Sequence, residues 1–208
     1  SVLRRHVALS LFAVVLMSAM LFFSHGSQDL YPSQFLKSFH GLSHATVVTM
    51  MVIYNLGAIA GGLCFGTLSQ RLSRRWALML SALLALPAIP FWAFGHSVAV
   101  LAAGGFVLQF AVQGAWGVIP AFLNELSPPA IRGTFPGTVY QLGNLVASPN
   151  ANLQVWLADR PGSDIRWALA IVIATVAVVV SILALLTRDT RAVRMGRERI
   201  AADAASDL

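Results

Sequence analysis

The sequence predicts an all-α, polytopic membrane protein with six transmembrane helices, and three observations carry that prediction. Hydrophobic residues make up 57% of the 208, charged residues only 11%, and the mean hydropathy is +0.74, far more apolar than a water-soluble domain of this length. Apolar stretches of about 20 residues, the length a helix needs to cross roughly 30 Å of hydrocarbon, recur six times along the chain. Each is read as a helix, since a backbone in lipid must satisfy its own hydrogen bonds. The basic residues are also segregated. Arg4, Arg5, Arg71, Arg74, Arg75, Arg132, Arg188, Arg191, Arg194, Arg197 and Arg199 fall on the side holding both termini, and only Lys37, Arg160 and Arg166 fall on the other. That bias places both termini and the connections near 68–75 and 123–133 in the cytoplasm of a multi-pass cell-membrane protein.

The first helix, near 7–31, ends in a dense polar run, Phe23-Ser24-His25-Gly26-Ser27-Gln28-Asp29. Polar side chains at membrane depth are costly and persist where they face a protein interior or an aqueous path. His25 stands over Asp29 at i, i+4 and Ser24 over Gln28, so four polar groups share one flank suited to a polar or charged solute. The second helix, near 44–67, carries Gly57, Gly61, Gly62 and Gly66, two small-xxx-small spacings that allow close helix approach. Its Asn55 stands alone and reads as interhelical glue. The third, near 76–95, contains Pro87 and Pro90, which remove backbone donors and are expected to bend it.

The fourth helix, near 98–122, places Gln109, Gln113 and Trp116 on one stripe, which fits either solute contact or interhelical bonding with a packed aromatic. The fifth, near 134–157, holds Gln141 and Asn144 at i, i+3, well inside the span at about 1.5 Å per residue. A pair of amides that deep is helix glue or a binding surface. The sixth runs near 167–187 and completes a bundle over 1–187. Beyond it, 188–208 is an arginine-rich tail expected to lie on the anionic inner leaflet before fraying. The polar flanks sit on the first and fourth helices, as expected if two three-helix units line one cavity.

Several classes of function are set aside by the same residues. The net charge of +6 is topological, because these arginines edge the membrane in short loops, and nucleic acid is not an expected partner. The single cysteine, Cys64, excludes an internal disulfide and any cysteine-built metal site. Ser24 or Ser27 with His25 and Asp29 has the residue types of a hydrolytic triad. Neighbours on one helix cannot readily put a nucleophile on one imidazole nitrogen and a carboxylate on the other, so no enzyme is expected. A metal at His25 and Asp29 would need further ligands, and no metal or cofactor is expected.

Two connections carry recognisable patterns. Gly66-Thr67-Leu68-Ser69-Gln70-Arg71-Leu72-Ser73-Arg74-Arg75 resembles the loop signature of the major facilitator superfamily, with Gln70 at the usual acidic position and Ser73 at the second glycine. Asn124-Glu125-Leu126-Ser127-Pro128-Pro129-Ala130-Ile131-Arg132-Gly133-Thr134 resembles the signature between the tenth and eleventh helices of many transporters of that superfamily. Glu125 and Arg132 are placed to pair across a proline-stiffened turn and, with Arg71, Arg74 and Arg75, to latch a cytoplasmic gate; a static loop salt bridge is the other reading. Ser24-His25-x-Ser27-Gln28-Asp29 resembles the seventh-helix signature of fungal lactate/pyruvate permeases of the sialate/lactate:proton symporter family, with Leu21 at its leading asparagine and Ser33 at its final threonine. Tyr140-Gln141-Leu142-Gly143-Asn144-Leu145 is similar to that family's eleventh helix.

The resemblance implies that these are the seventh to twelfth helices, one half of a facilitator-type transporter with a 3+3 inverted repeat. The chain, which starts at Ser1, then reads as a fragment whose N-terminal six-helix half is a missing partner. It implies proton-coupled symport of a small carboxylate such as lactate or pyruvate. Ser24, His25, Gln28, Gln109, Gln113, Gln141 and Asn144 are the candidate solute contacts. His25 and Asp29 are the candidates for proton coupling, since imidazole changes charge near neutral pH. A sugar or other organic-acid porter, and a non-transporting membrane sensor, remain alternatives. The topology is tested by cysteines introduced near Ser73 and near Ser163 in a Cys64→Ser background. They are expected to label from opposite sides of the membrane, the first from the cytoplasm, and labelling of both from one side would overturn the six-helix topology.

Overall fold

The computed structural model describes residues 2–187 and is helical throughout its spans. The helices are α1 (Val2–Gln28), α2 (His44–Arg71), α3 (Arg74–Phe94), α4 (Val98–Leu126), α5 (Phe135–Ala147), α6 (Asn150–Ala158) and α7 (Ile165–Leu186). A π-helical segment, Tyr31–Phe39, prolongs α1. Among the described residues, five helical stretches are long and apolar enough to cross a membrane: Val7–Phe39, His44–Arg71, Arg74–Phe94, Val98–Leu126 and Ile165–Leu186. The basic tail expected over 188–208 lies outside the described residues.

One expected element is corrected. The segment near 134–157 is not a single helix but α5 and α6, interrupted at Ser148-Pro149. Proline has no N–H for the carbonyl four residues back and its ring crowds that carbonyl, so a helix stops there. The carbonyl that Pro149 fails to serve is that of Leu145, and the Ser148 hydroxyl donates to it instead at 2.8 Å.

The first span is also discontinuous. Past Gln28 the bonds widen to i−5, with Phe35 N–H donating to Leu30 O at 3.1 Å and His40 N–H to Phe35 O at 3.0 Å. Where the α-helical ladder gives out, two carbonyls of α1 are served from other helices. Gly26 O accepts from Gln154 Nε2 of α6 at 2.7 Å, and Ser27 O accepts from the Tyr54 hydroxyl of α2. Tyr31 then stacks between Phe35, Tyr54 and Trp92 with ring centroids 4.9–5.4 Å apart, locking the π-helical piece onto α2 and α3.

In the bundle, α4 is flanked by α2 and α3, α3 packs on α7, and α1 lies against α5 and α7 while touching α4. The core is apolar, built from residues such as Leu16, Met20 and Phe23 of α1, Leu108 and Phe122 of α4 and Ile173 of α7. The outside is apolar too: Leu11, Leu56, Ile59, Leu63, Leu145 and Leu186 are all exposed, a surface that suits a bilayer and not water. Ser43, Ser97 and Asp164 cap α2, α4 and α7 by accepting backbone N–H bonds in the first turn. Asp164 also takes three bonds from the Arg166 guanidinium, which holds its carboxyl below the ordinary carboxylate range.

The glycines of α2 form a seam against α4. A Cβ on Gly57 would lie 2.3 Å from Phe106 O, and one on Gly61 would lie 2.0 Å from Phe110 O, so the two backbones touch directly. Asn55, by contrast, is not interhelical glue. Its amide donates to Met51 O of its own helix at 2.7 Å. Gly61→Ala is expected to lower thermal stability in detergent, by the roughly 1–3 kcal/mol typical of overpacking. Gly137→Ala, where a Cβ would meet nothing within 4 Å, is the control and should leave the unfolding temperature unchanged. Equal effects at the two sites would contradict the seam.

Candidate functional site

α1 brings its polar run to the junction of α4, α5 and α6, and successive residues on it face different neighbours. His25 and Asp29, one turn apart, point toward α5. His25 Nδ1 lies 3.2 Å from Asp29 Oδ1, and His25 Nε2 lies 3.4 Å from Asn144 Oδ1. Their side chains are 41% and 38% exposed, enough for water to reach the pair. His25, Asp29, Gln141, Asn144, Leu145, Ala147 and Ser148 line one open depression of about 490 Å³. Gln141 and Asn144 therefore reach from α5 the same space that His25 and Asp29 reach from the end of α1.

Ser24 and Gln28 turn instead toward α4. Gln28 Nε2 donates to Ser24 Oγ at 3.2 Å and to Gln109 Oε1 at 3.4 Å, and Gln109 Nε2 donates to Ser27 Oγ at 3.0 Å. Gln109 is only 1% exposed, so here it ties α4 to α1 and does not face the depression. Gln113, half-buried one turn further along α4, is not among the residues lining the depression either. Trp116 stacks edge-on against Tyr140 at 6.1 Å, the packed-aromatic reading of that position. Leu21, at the position where the resemblance has an asparagine, is buried and packs where α5 approaches at Gly143.

Two residues that sequence reasoning passed over belong to this node, and a third lies close by in sequence. Tyr54 and Gln154 hold the carbonyls of Ser27 and Gly26, directly after His25. Asn150, one turn before Gln154 on α6, is buried at 1% exposure, and neither atom of its amide has a hydrogen-bond partner. An amide pair at i, i+4 inside an apolar stretch was the available signal for Asn150 and Gln154. Tyr54 offered none, since a tyrosine in an apolar helix is most simply core.

At the arginine-rich end, the expected partner of Glu125 is corrected. Glu125 Oε1 accepts from Arg74 Nε at 3.0 Å, not from Arg132, and Arg74 also donates to Ser69 Oγ at 2.6 Å. The link therefore joins the start of α3 to the end of α4, and the carboxylate is only 10% exposed. Arg71 closes α2 at this same end. Arg75 lies 5.3 Å over the Trp76 ring, and Arg132 sits on the short turn after Pro128-Pro129, each with its Nε buried away from any hydrogen-bond partner. At the opposite end, burial, helped by nearby Arg166 and His96, lowers His40 from the usual imidazole range.

Comparison with known proteins agrees with a bundle of this kind. Residues 8–206 match the family described as sugar (and other) transporters. The chain is 37% identical over 150 residues to the carboxylic acid transporter protein homolog of Saccharomyces cerevisiae, a stretch covering 72% of this chain and 24% of that protein. It is 31% identical over 121 residues to myo-inositol transporter 2 of Cryptococcus neoformans, covering 56% of the chain and 22% of the relative. To the glucose transporter GlcP of Staphylococcus epidermidis it is 31% identical over 130 residues, 61% of the chain and 27% of the relative. The chain thus spans about a quarter of the length of these relatives. With its apolar helices and a family match over nearly all its length, this chain is a multi-pass membrane protein and belongs to the sugar (and other) transporter family of the major facilitator superfamily, a family of transporters and not of enzymes.

Proposed function

We propose that this chain forms the C-terminal half of a proton-coupled symporter of small monocarboxylates such as lactate or pyruvate. The observation that carries the reading is the convergence of the His25–Asp29 pair with Asn144 and Gln141 at one depression between α1 and α5. A titratable pair beside two amides can bind a proton and hydrogen-bond a carboxylate in the same place. The carboxylic acid transporter name of the yeast relative supports the same solute class. In this reading the arginine-rich end faces the cytoplasm, both termini lie there, and the membrane is the cell membrane. Arg74–Glu125 braces the gate between α3 and α4. Among the described residues no lysine or arginine lines the depression, so the N-terminal half supplies the countercharge for the anion.

The myo-inositol and glucose transporter names among the relatives favour a second reading, a polyol or sugar held by neutral amides alone. Uptake in proteoliposomes by the chain joined to its N-terminal half separates the two. Labelled lactate uptake is expected to rise with inward proton gradient and to ignore excess hexose. His25→Ala should weaken apparent lactate affinity and flatten its pH dependence; one hydrogen bond to a charged group is worth about 1.5–3 kcal/mol, roughly a 10- to 150-fold change. Glu125→Gln should slow turnover with little change in affinity. Saturable hexose uptake indifferent to pH, with no lactate uptake, would replace the first reading by the second.

A further inference from the structure

His25 faces an oxygen at each ring nitrogen: Nδ1 is 3.2 Å from Asp29 Oδ1 and Nε2 is 3.4 Å from Asn144 Oδ1. A neutral imidazole has one N–H and one lone pair, while an ionised carboxylate only accepts. Asp29 therefore keeps a proton on Nδ1 whichever charge the ring carries, and Nε2 is the nitrogen whose character changes. Without a second proton Nε2 accepts, and its neighbour must offer N–H. With one it donates, and the neighbour must offer oxygen, as Asn144 does in this structure. An asparagine satisfies both states, because half a turn of its terminal torsion exchanges donor for acceptor.

We propose that Asn144 converts proton uptake at His25 into affinity for an anion, by reversing its amide. When His25 is neutral, the Asn144 NH₂ is spent on Nε2 and the carbonyl oxygen is left for the depression, where it repels a carboxylate. When His25 takes a proton, the carbonyl turns to Nε2–H and the NH₂ is released to donate to a carboxylate oxygen. The proton comes from hydronium, whose O–H bond breaks as Nε2–H forms, and the new ring charge cancels that of Asp29, so the pair no longer repels an anion whose countercharge the N-terminal half supplies. Among the described residues Asp29, just past the end of α1, is the only other charged group lining the depression; α5 and its C-terminal cap contribute Gln141, Asn144 and Ser148, and α4, α6 and α7 contribute no titratable group to it. Asn144 is thus a solute contact whose donor is released by the charge on His25. The anion itself rests on the monocarboxylate reading above.

The test needs no transport. The chain joined to its N-terminal half, labelled with ¹⁵N at asparagine and histidine, is placed in lipid nanodiscs, and the Asn144 side-chain signal is identified by its loss in Asn144→Asp. Across pH that signal is expected to move with the same midpoint as the His25 ring, and to stop moving in His25→Gln, where its persistence reports an intact fold. L-lactate should then shift the signal on the acid side of the midpoint and bind roughly 10- to 150-fold more weakly on the alkaline side. An amide that ignores the His25 titration overturns the proposal, and so does one that still titrates in His25→Gln. An amide that follows His25 while lactate has no effect at any pH upholds the switch and overturns lactate as its solute.

Discussion

Every backbone polar group at hydrocarbon depth must find its partner inside the protein, and the arrangement of this bundle follows from how its two interrupted helices meet that demand. At Ser148-Pro149 the repair is local, a serine hydroxyl taking the carbonyl that proline abandons. At the end of α1 it is tertiary, with Gln154 and Tyr54 reaching across from α6 and α2 to Gly26 and Ser27. A hydrogen bond of this sort contributes modestly by itself, but leaving a buried carbonyl unmet costs more. The helices α1, α2 and α6 are thus tied together at the turn that carries His25 and Asp29.

That turn divides its labour by angle. Neighbouring positions on a helix point about 100° apart, so Ser24 with Gln28 and His25 with Asp29 form two adjacent stripes and not one. The Ser24–Gln28 stripe is drawn into amide bonds with Gln109, where burial makes it structural. The His25–Asp29 stripe borders the depression with Asn144 and Gln141 and stays open to water. A polar node half spent on cohesion and half left available fits a membrane protein of this family, which must stay assembled while exposing polar groups to a solute.

The class of fold was legible because length and apolarity are direct consequences of the bilayer; α2, α3, α4 and α7 match their expected positions closely. The break in the fifth segment was not, although Pro149 stood in plain view, because the surrounding residues are apolar enough to disguise two short helices as one long one. The pairing of His25 with Asp29 followed from helical spacing, and the meeting with Asn144 followed only once α1 and α5 were placed side by side. The expectation that Glu125 would reach Arg132 failed for a related reason. Sequence proximity across a turn suggested it, whereas Arg74, 51 positions away in sequence, arrives from the start of α3 with a better approach.

The glycine seam between α2 and α4 has a mechanical side. Carbonyls of α4 rest directly on the α-carbons of Gly57 and Gly61, and Gly117 of α4 rests in turn on the Gly62 backbone. Two rods meshed this way resist sliding, because moving one past the other would drive a carbonyl over the rise of the next residue, which carries a side chain. They behave as one beam. Any displacement within this bundle is therefore shed onto joints without such teeth: the interrupted stretch of α1, the α5–α6 elbow, and the side-chain ties that cross between them.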